Sequence, residues 1–188
     1  MEDLMRVKRL VAYCTKKCGT SDPFEIADQL GILYQIGNCE HEGCYMFLKN
    51  HRYIFLSNRL DRTELNLVMA HELGHALLDR KANCYFIRNE TLLLVSKLER
   101  RANLFAAYLL ISDDMLQDYT GYTQDQFCQC TGYPKELIEL RLKIAYGILI
   151  NQKKRGKEYE ESKVIFRCQR CICCPFYNLL CRRMETRR

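Results

Sequence analysis

Apolar residues recur at helical spacing from the start of the chain. Leu4, Val7, Leu10, Val11, Cys14 and Cys18 predict an amphipathic helix over residues 3–18, ending at Gly19. A second helix follows: Asp22 is a capping residue, Pro23 suits the first helical position, Glu25 completes a capping box and Gly31 is a stop. The period then changes. Residues 32–36, 44–48 and 53–56 are rich in β-branched and aromatic side chains, and Lys49-Asn50-His51-Arg52 reads as a turn before the third run. These runs predict a small antiparallel sheet of three strands.

Helical spacing returns after the capping box Asp61-Arg62-Thr63-Glu64, with Leu65, Val68, Met69, Glu72, Leu73, Ala76 and Leu77 in period. Residues 84–95 fit strand and helix equally. Ser96 and Glu99 then predict the start of a helix whose Leu98, Ala102, Phe105, Ala106 and Leu109 form one stripe. Ser112, followed by Asp113 and Asp114, starts a short helix through Leu116. Thr123 and Gln126 cap another that ends at Gly132, and Pro134 opens a last one through Leu137, Ile138, Arg141, Leu142 and Ala145.

Composition divides the chain of 188 residues. Its 48% hydrophobic and 28% charged residues suit a packed body and exclude a disordered one. The formal charge of +6 is uneven: residues 151–188 hold 11 basic and 4 acidic side chains, leaving 18 basic against 19 acidic in residues 1–150. Five of the 12 cysteines also fall in that last segment. The expected organisation is a core over residues 1–115, a helical region over 116–150 resembling a helix-turn-helix, and a basic, cysteine-rich extension over 151–188. No apolar run approaches the ~18 residues of a membrane span, and the N-terminus lacks the pattern of a secretory signal. A cytoplasmic protein with reduced or metal-bound thiols is expected.

The central helix contains His71-Glu72-Leu73-Gly74-His75. Imidazoles at i and i+4 lie one above the other and can reach one ion, which makes His71 and His75 candidate Zn2+ ligands. Glu72 projects beside the metal, where a general base acting on a metal-activated water must sit. A hydrolytic site needs a third protein ligand and an open position. Lys81 and Leu78 occupy the positions where metzincins have a third His and its preceding Gly, and the remaining histidines, His41 and His51, lie upstream. An acidic third ligand is therefore favoured. Glu99 leads, with Glu90, Asp79 and Glu64 as rivals. Asn103, one helical turn beyond Glu99, is placed to accept the N–H of a ligating imidazole.

These residues resemble the ImmA/IrrE family of zinc metallopeptidases. The resemblance rests on Pro23-Phe24-Glu25-Ile26-Ala27, Ile54-Phe55-Leu56-Ser57-Asn58, the block from Ala70 to Leu78, and Glu99-Arg100-Arg101-Ala102-Asn103-Leu104-Phe105-Ala106-Ala107. It implies an α+β, zincin-like core with its small sheet packed on the HExxH helix, followed by a helical region. It implies Glu99 as third zinc ligand. It also implies a bacterial protein of prophages and mobile elements that cleaves a helix-turn-helix repressor, or a similar regulator, to release silenced or stress genes. Two positions depart from the family pattern: Asp79 stands where a His is common, and Ser112 where many members have Pro, so the chain after Leu110 is expected to turn differently.

Three further expectations concern substrate and partners. The strand Tyr53 to Leu56 is a candidate edge for pairing with an extended substrate, as against a buried strand without such a role. Tyr85, Tyr108, Tyr119 and Tyr122 are candidate donors to a developing oxyanion. The helix pair from Thr123 to Ile144 makes a zinc-bound DNA-binding regulator the rival reading, disfavoured because Lys135, Glu136, Glu139, Arg141 and Lys143 give the second helix a nearly neutral face. A zinc-bound, non-proteolytic sensor or antitoxin-like partner is the other rival. In the extension, Cys168, Cys171, Cys174 and Cys181 are candidate ligands of a second, structural zinc.

Overall fold

The structure, a computed structural model, describes residues 2–81 and 92–142. The chain runs α1 (Glu2–Cys18), α2 (Pro23–Gln29), β1 (Leu33–Gly37), β2 (Gly43–Leu48), β3 (His51–Ser57), α3 (Arg62–Leu78), α4 (Leu92–Leu110), α5 (Asp113–Asp118), α6 (Gln124–Thr131) and a helical segment over 135–142, here α7. The fold is α+β, as expected, with a three-stranded sheet beside the HExxH helix.

Local chemistry accounts for most boundaries. The Asp22 carboxylate accepts from the amides of Phe24 and Glu25 at the start of α2. Asp61 and Glu64 form the reciprocal capping box of α3, and Thr123 and Gln126 that of α6. Ser112 accepts from the Met115 amide and starts α5, so the residue that departs from the family pattern begins a helix. Gly132 ends α6 at φ 75°, a conformation that carries little penalty only without a Cβ. The start of α4 differs from expectation. It begins at Leu92, so Ser96 and Glu99 lie inside the helix and do not cap it.

The sheet order is β1-β3-β2, with β2 antiparallel and β1 parallel to β3. The expected all-antiparallel pairing is thus corrected to a mixed sheet. Lys49 and Asn50 join β2 to β3 with positive φ at both residues, as a tight two-residue hairpin requires. The chain also reverses between β1 and β2. Two reversals leave β3 running with β1, and β3 takes the central position between them. Tyr53 to Leu56 is therefore the middle of the sheet, and β2 is the edge strand nearest the candidate site.

Ile54 and Leu56 of β3 and Tyr45 of β2 are wholly buried, in the same core as Met69, Ala70 and Leu73 of α3. The Tyr45 hydroxyl donates to the Arg80 carbonyl at 2.6 Å, tying the sheet to the end of α3. On α4, Ala102, Phe105, Ala106 and Leu109 are buried, matching the stripe read from the sequence. Burial of the larger of these, such as Phe105 and Leu109, stabilises by about 1.5–3 kcal/mol each. Phe127, Leu137 and Ile138 of α6 and α7 join the same buried cluster.

Helices α3 and α4 approach closely. A Cβ at Gly74 would lie 3.0 Å from the Ala102 Cα and 3.2 Å from its carbonyl oxygen. The contact is held by charge at its end. Arg101 pairs with the Asp79 carboxylate, and Asp3 of α1 lies 3.6 Å from Arg100 and 3.9 Å from Arg101. Asp79, the second departure from the family pattern, is the C-cap of α3. Burial pushes its carboxyl up against the opposing pull of Arg101, then His75 and Arg6.

Candidate metal centre

The close packing of α3 on α4 brings Glu99 over the HExxH motif. Donor atoms of His71, His75 and Glu99 all lie within 4.8 Å of one another. The Nε2 atoms of His71 and His75 are 3.1 Å apart. Glu99 presents Oε2 at 3.2 Å from His71 Nε2 and Oε1 at 3.6 Å from His75 Nε2. Bonds of about 2.0–2.1 Å at tetrahedral angles separate donors by about 3.3 Å, so this trio fits a zinc-sized ion. It is the only such group of His, Cys, Asp or Glu found among the described residues.

The surroundings suit this use. Asn103 Oδ1 lies 2.8 Å from His71 Nδ1. An amide oxygen only accepts, so His71 donates from Nδ1, and Nε2, which faces Glu99, is the nitrogen that gives up its proton to bind a metal. Hydrogen bonds from His71 and then His75 hold Glu99 far below the usual carboxylate range, overcoming its burial. For His71, burial favours the neutral ring, but the Glu99 hydrogen bond, the charges of Glu72 and Glu99 and the Asn103 contact together raise its pKa. His75 is 1% exposed and its buried Nδ1 has no hydrogen-bond partner among the described residues. Two crowded imidazoles beside a carboxylate are the arrangement that a cation relieves.

Glu72 is 5% exposed and sits under the first residue of β2. A Cβ at Gly43 would come within 3.0 Å of Glu72 Oε1 and 2.4 Å of Val68 Cγ1. The backbone of the edge strand is therefore pressed against the candidate base, an approach that only glycine permits. His71, Glu72, Glu99 and Asn103 line a cleft of about 790 Å³.

One cleft wall comprises Glu40, His41, Glu42 and Gly43; α7 supplies Glu136, Leu137, Glu139 and Leu140 to another. Sequence reading missed these residues as a group. The segment from Glu40 to Glu42 precedes a strand, and α7 reads as nearly neutral by composition. The fold separates its charges. Lys135 bonds Asp125 at 2.8 Å, and Arg141 is buried, paired with Asp113 and donating to the Ile111 carbonyl at 2.9 Å. Glu136 and Glu139 line the cleft.

Several expected residues lie elsewhere. Tyr108 sits beneath the Arg141 guanidinium at 4.2 Å, and Tyr119 packs on Tyr122 and Phe127, with centroids 5.3 and 5.1 Å apart. None of the three lines the cleft, so they are set aside as oxyanion donors. Asp79 is engaged with Arg101, and Glu64 in its capping box, which removes both as rivals to Glu99. Tyr85, Glu90 and the cysteines Cys168, Cys171, Cys174 and Cys181 lie outside the described residues.

Comparison with known proteins places this geometry in a family. Residues 27–143 match the model of the peptidase M78 family, the IrrE N-terminal-like domain. The chain belongs to this family. An uncharacterized immunity region protein 2 of Bacillus phage phi105 is 37% identical over 139 residues, covering 72% of this chain and 88% of its own length. Metallopeptidase ImmA of Bacillus subtilis strain 168 is 31% identical over 136 residues, covering 70% of this chain and 75% of its own. The M78 match spans every described element from late α2 to α7, including the whole of the His71, His75 and Glu99 cluster. No described helix is long and apolar enough to cross a membrane.

Proposed function

We propose that this M78-family chain is a zinc-dependent endopeptidase that cuts a regulatory protein, a helix-turn-helix repressor of a mobile element or of stress genes. The observation that carries the reading is the convergence of His71, His75 and Glu99 on one point, with Glu72 beside them in an open cleft. The likeness to a metallopeptidase and to a phage immunity-region protein supports both the chemistry and the regulatory setting.

His71 Nε2, His75 Nε2 and a Glu99 oxygen would hold the ion, with Asn103 fixing the His71 ring. Bound there, zinc supplies Lewis-acid chemistry, bringing the pKa of a coordinated water toward ~7 and polarising the scissile carbonyl. Glu72 takes a proton from the attacking water as the new C–O bond forms. The same carboxyl passes it to the amine nitrogen as the C–N bond breaks. Edge strand β2 offers its backbone to an extended substrate, the role that central β3 has no free edge to fill.

Glu72→Gln keeps shape and ligands while removing the base. Zinc content is expected to stay at about one per site, and repressor cleavage, read by intact mass after co-expression with the neighbouring helix-turn-helix regulator, to fall by about 10²–10⁴-fold. Unchanged cleavage and gene induction in the zinc-loaded variant overturn the proposal and favour a non-proteolytic sensor. The DNA-binding reading has less support: within 135–142, α7 commits Lys135 and Arg141 to protein partners and sets Glu136 and Glu139 along the cleft, which does not suit phosphates.

A further inference from the structure

We propose that Gly43 is a positioning residue for Glu72: the bare backbone at the start of β2 seats the carboxylate of the candidate base, and a single methyl group there displaces it. This deepens the peptidase reading and rests on it. A Cβ at Gly43 would meet Val68 Cγ1 at 2.4 Å and both Cγ and Oε1 of Glu72 at 3.0 Å. Val68 and Glu72 are one helical turn apart on α3, so the Gly43 backbone lies in the notch between neighbouring side chains of the HExxH helix. All three residues line the cleft.

An added methyl group could be accommodated by the strand, by Val68 or by Glu72, and the first two are stiff. The strand is pinned on both sides of the contact. Just before it, the Ser57 amide donates to the Glu42 carbonyl at 2.9 Å. Beyond it, β2 stays in antiparallel register with β3, with Gly43 opposite Leu56 and Tyr45 opposite Ile54. Alternate residues of a strand share a face, so Tyr45 lies on the same side as Gly43. Tyr45 is wholly buried and its hydroxyl is bonded to the Arg80 carbonyl, so retreat of β2 would draw this ring out of the core. Val68 is β-branched, and such a side chain has one strongly preferred rotamer in a helix. The unbranched Glu72 side chain is the part that gives.

A shift of Glu72 acts on proton transfer and spares the ligands. A general base works within hydrogen-bond reach of the proton it takes, and a misplacement of about 1 Å can cost about 10²-fold in rate. The three atoms nearest to a Cβ at residue 43 belong to Val68 and Glu72, and none to His71, His75 or Glu99. Zinc affinity is therefore the internal control.

The test uses the full-length zinc-loaded protein. Against the purified helix-turn-helix regulator, Gly43→Ala is expected to lower kcat by about 10–10²-fold with little change in KM, and zinc affinity by chelator competition should match the parent. In the Glu72→Gln background the same substitution should cost little more, since both act through one carboxylate. Gly43→Ala/Val68→Ala removes the 2.4 Å contact and keeps those to Glu72. Measured against Val68→Ala, it should show the same loss of kcat, and it serves where Gly43→Ala alone does not fold. Acetohydroxamate gives a readout without turnover. It binds a zinc centre as an anion beside the base that takes up its proton, so its affinity should fall at least about fivefold in Gly43→Ala, as in Glu72→Gln. Full kcat, or full hydroxamate affinity, in both Gly43 variants overturns the inference and leaves the peptidase reading standing. So does an equal loss of cleavage with and without the Glu72 carboxylate, or a loss of zinc affinity that accounts for the fall in kcat. If the unmodified protein cleaves nothing while Gly43→Ala still weakens hydroxamate binding, the peptidase reading falls and the seating of Glu72 stands. No cleavage and no effect on the hydroxamate overturns both.

Discussion

The Asn103 side chain acts on the candidate centre through His71. Its amide oxygen, 2.8 Å from Nδ1, fixes which nitrogen is left to bind. Asn103→Ala should weaken zinc binding by about tenfold to a hundredfold, measured by competition with a chromogenic chelator, with little change in helix content. Equal affinity in variant and parent would show that His71 needs no such support. This contact was legible in the sequence, because Glu99 and Asn103 are four apart on one helix. Cys14 presents a different residue-scale effect. Burial first, and Cys18 next, push its thiol from 9.0 up to about 11. The fold favours the neutral thiol, so its contribution to stability is complete below pH 9.0 and is lost as pH rises toward about 11. Thiol labelling of the native protein near neutral pH should modify exposed Cys130 and spare Cys14, and the denaturation midpoint should drop across that alkaline window. Labelling of both at one rate would contradict the burial of α1.

At the scale of elements, Gly74 sets the distance between α3 and α4. Gly74→Val places carbon where Ala102 backbone lies 3.0 Å away, and strain of about 1–3 kcal/mol is expected in denaturant melts. Zinc affinity should fall as well, because Glu99 rides on the helix that must retreat. A variant with unaltered stability and affinity would mean that the helices reach their spacing by other contacts. Helix starts were readable wherever a short polar side chain reaches back to free amides, as at Asp22, Asp61, Ser112 and Thr123. The start of α4 was not. Ser96 and Glu99 have capping chemistry, but the helix continues upstream to Leu92, and Glu99 is drawn to two imidazoles contributed by another helix. Strand pairing was equally hidden: periodicity identified three strands, and chain reversals decided which became central.

For the whole molecule, the ligand trio adds a metal link between two helices that also meet through packing, the Arg101–Asp79 pair and the His71–Asn103 contact. An ion bound only by the folded state stabilises it by about 4 kcal/mol at a thousandfold excess over its Kd. For a chain of this size that corresponds to a rise in melting temperature of roughly 10 °C, reversed by chelation. A melting temperature indifferent to both zinc and chelator would exclude a metal joining α3 to α4.

The sequence alone determined the candidate chemistry, because ligand spacing along a helix is a local property. His71, Glu72 and His75 are set by helical pitch, and Asn103 is set relative to Glu99 in the same way. Local rules of the same kind gave the caps and the buried stripe of α4. What they leave open is which faces meet. Only the tertiary structure brought Glu99 across to the imidazoles, placed β3 in the middle of the sheet, and pressed Gly43 against Glu72. It also set Glu136 and Glu139 of α7 along the cleft while Lys135 and Arg141 pair with Asp125 and Asp113. Those outcomes depend on contacts between residues far apart in sequence, where packing and charge pairing are settled together and no short-range pattern records the result.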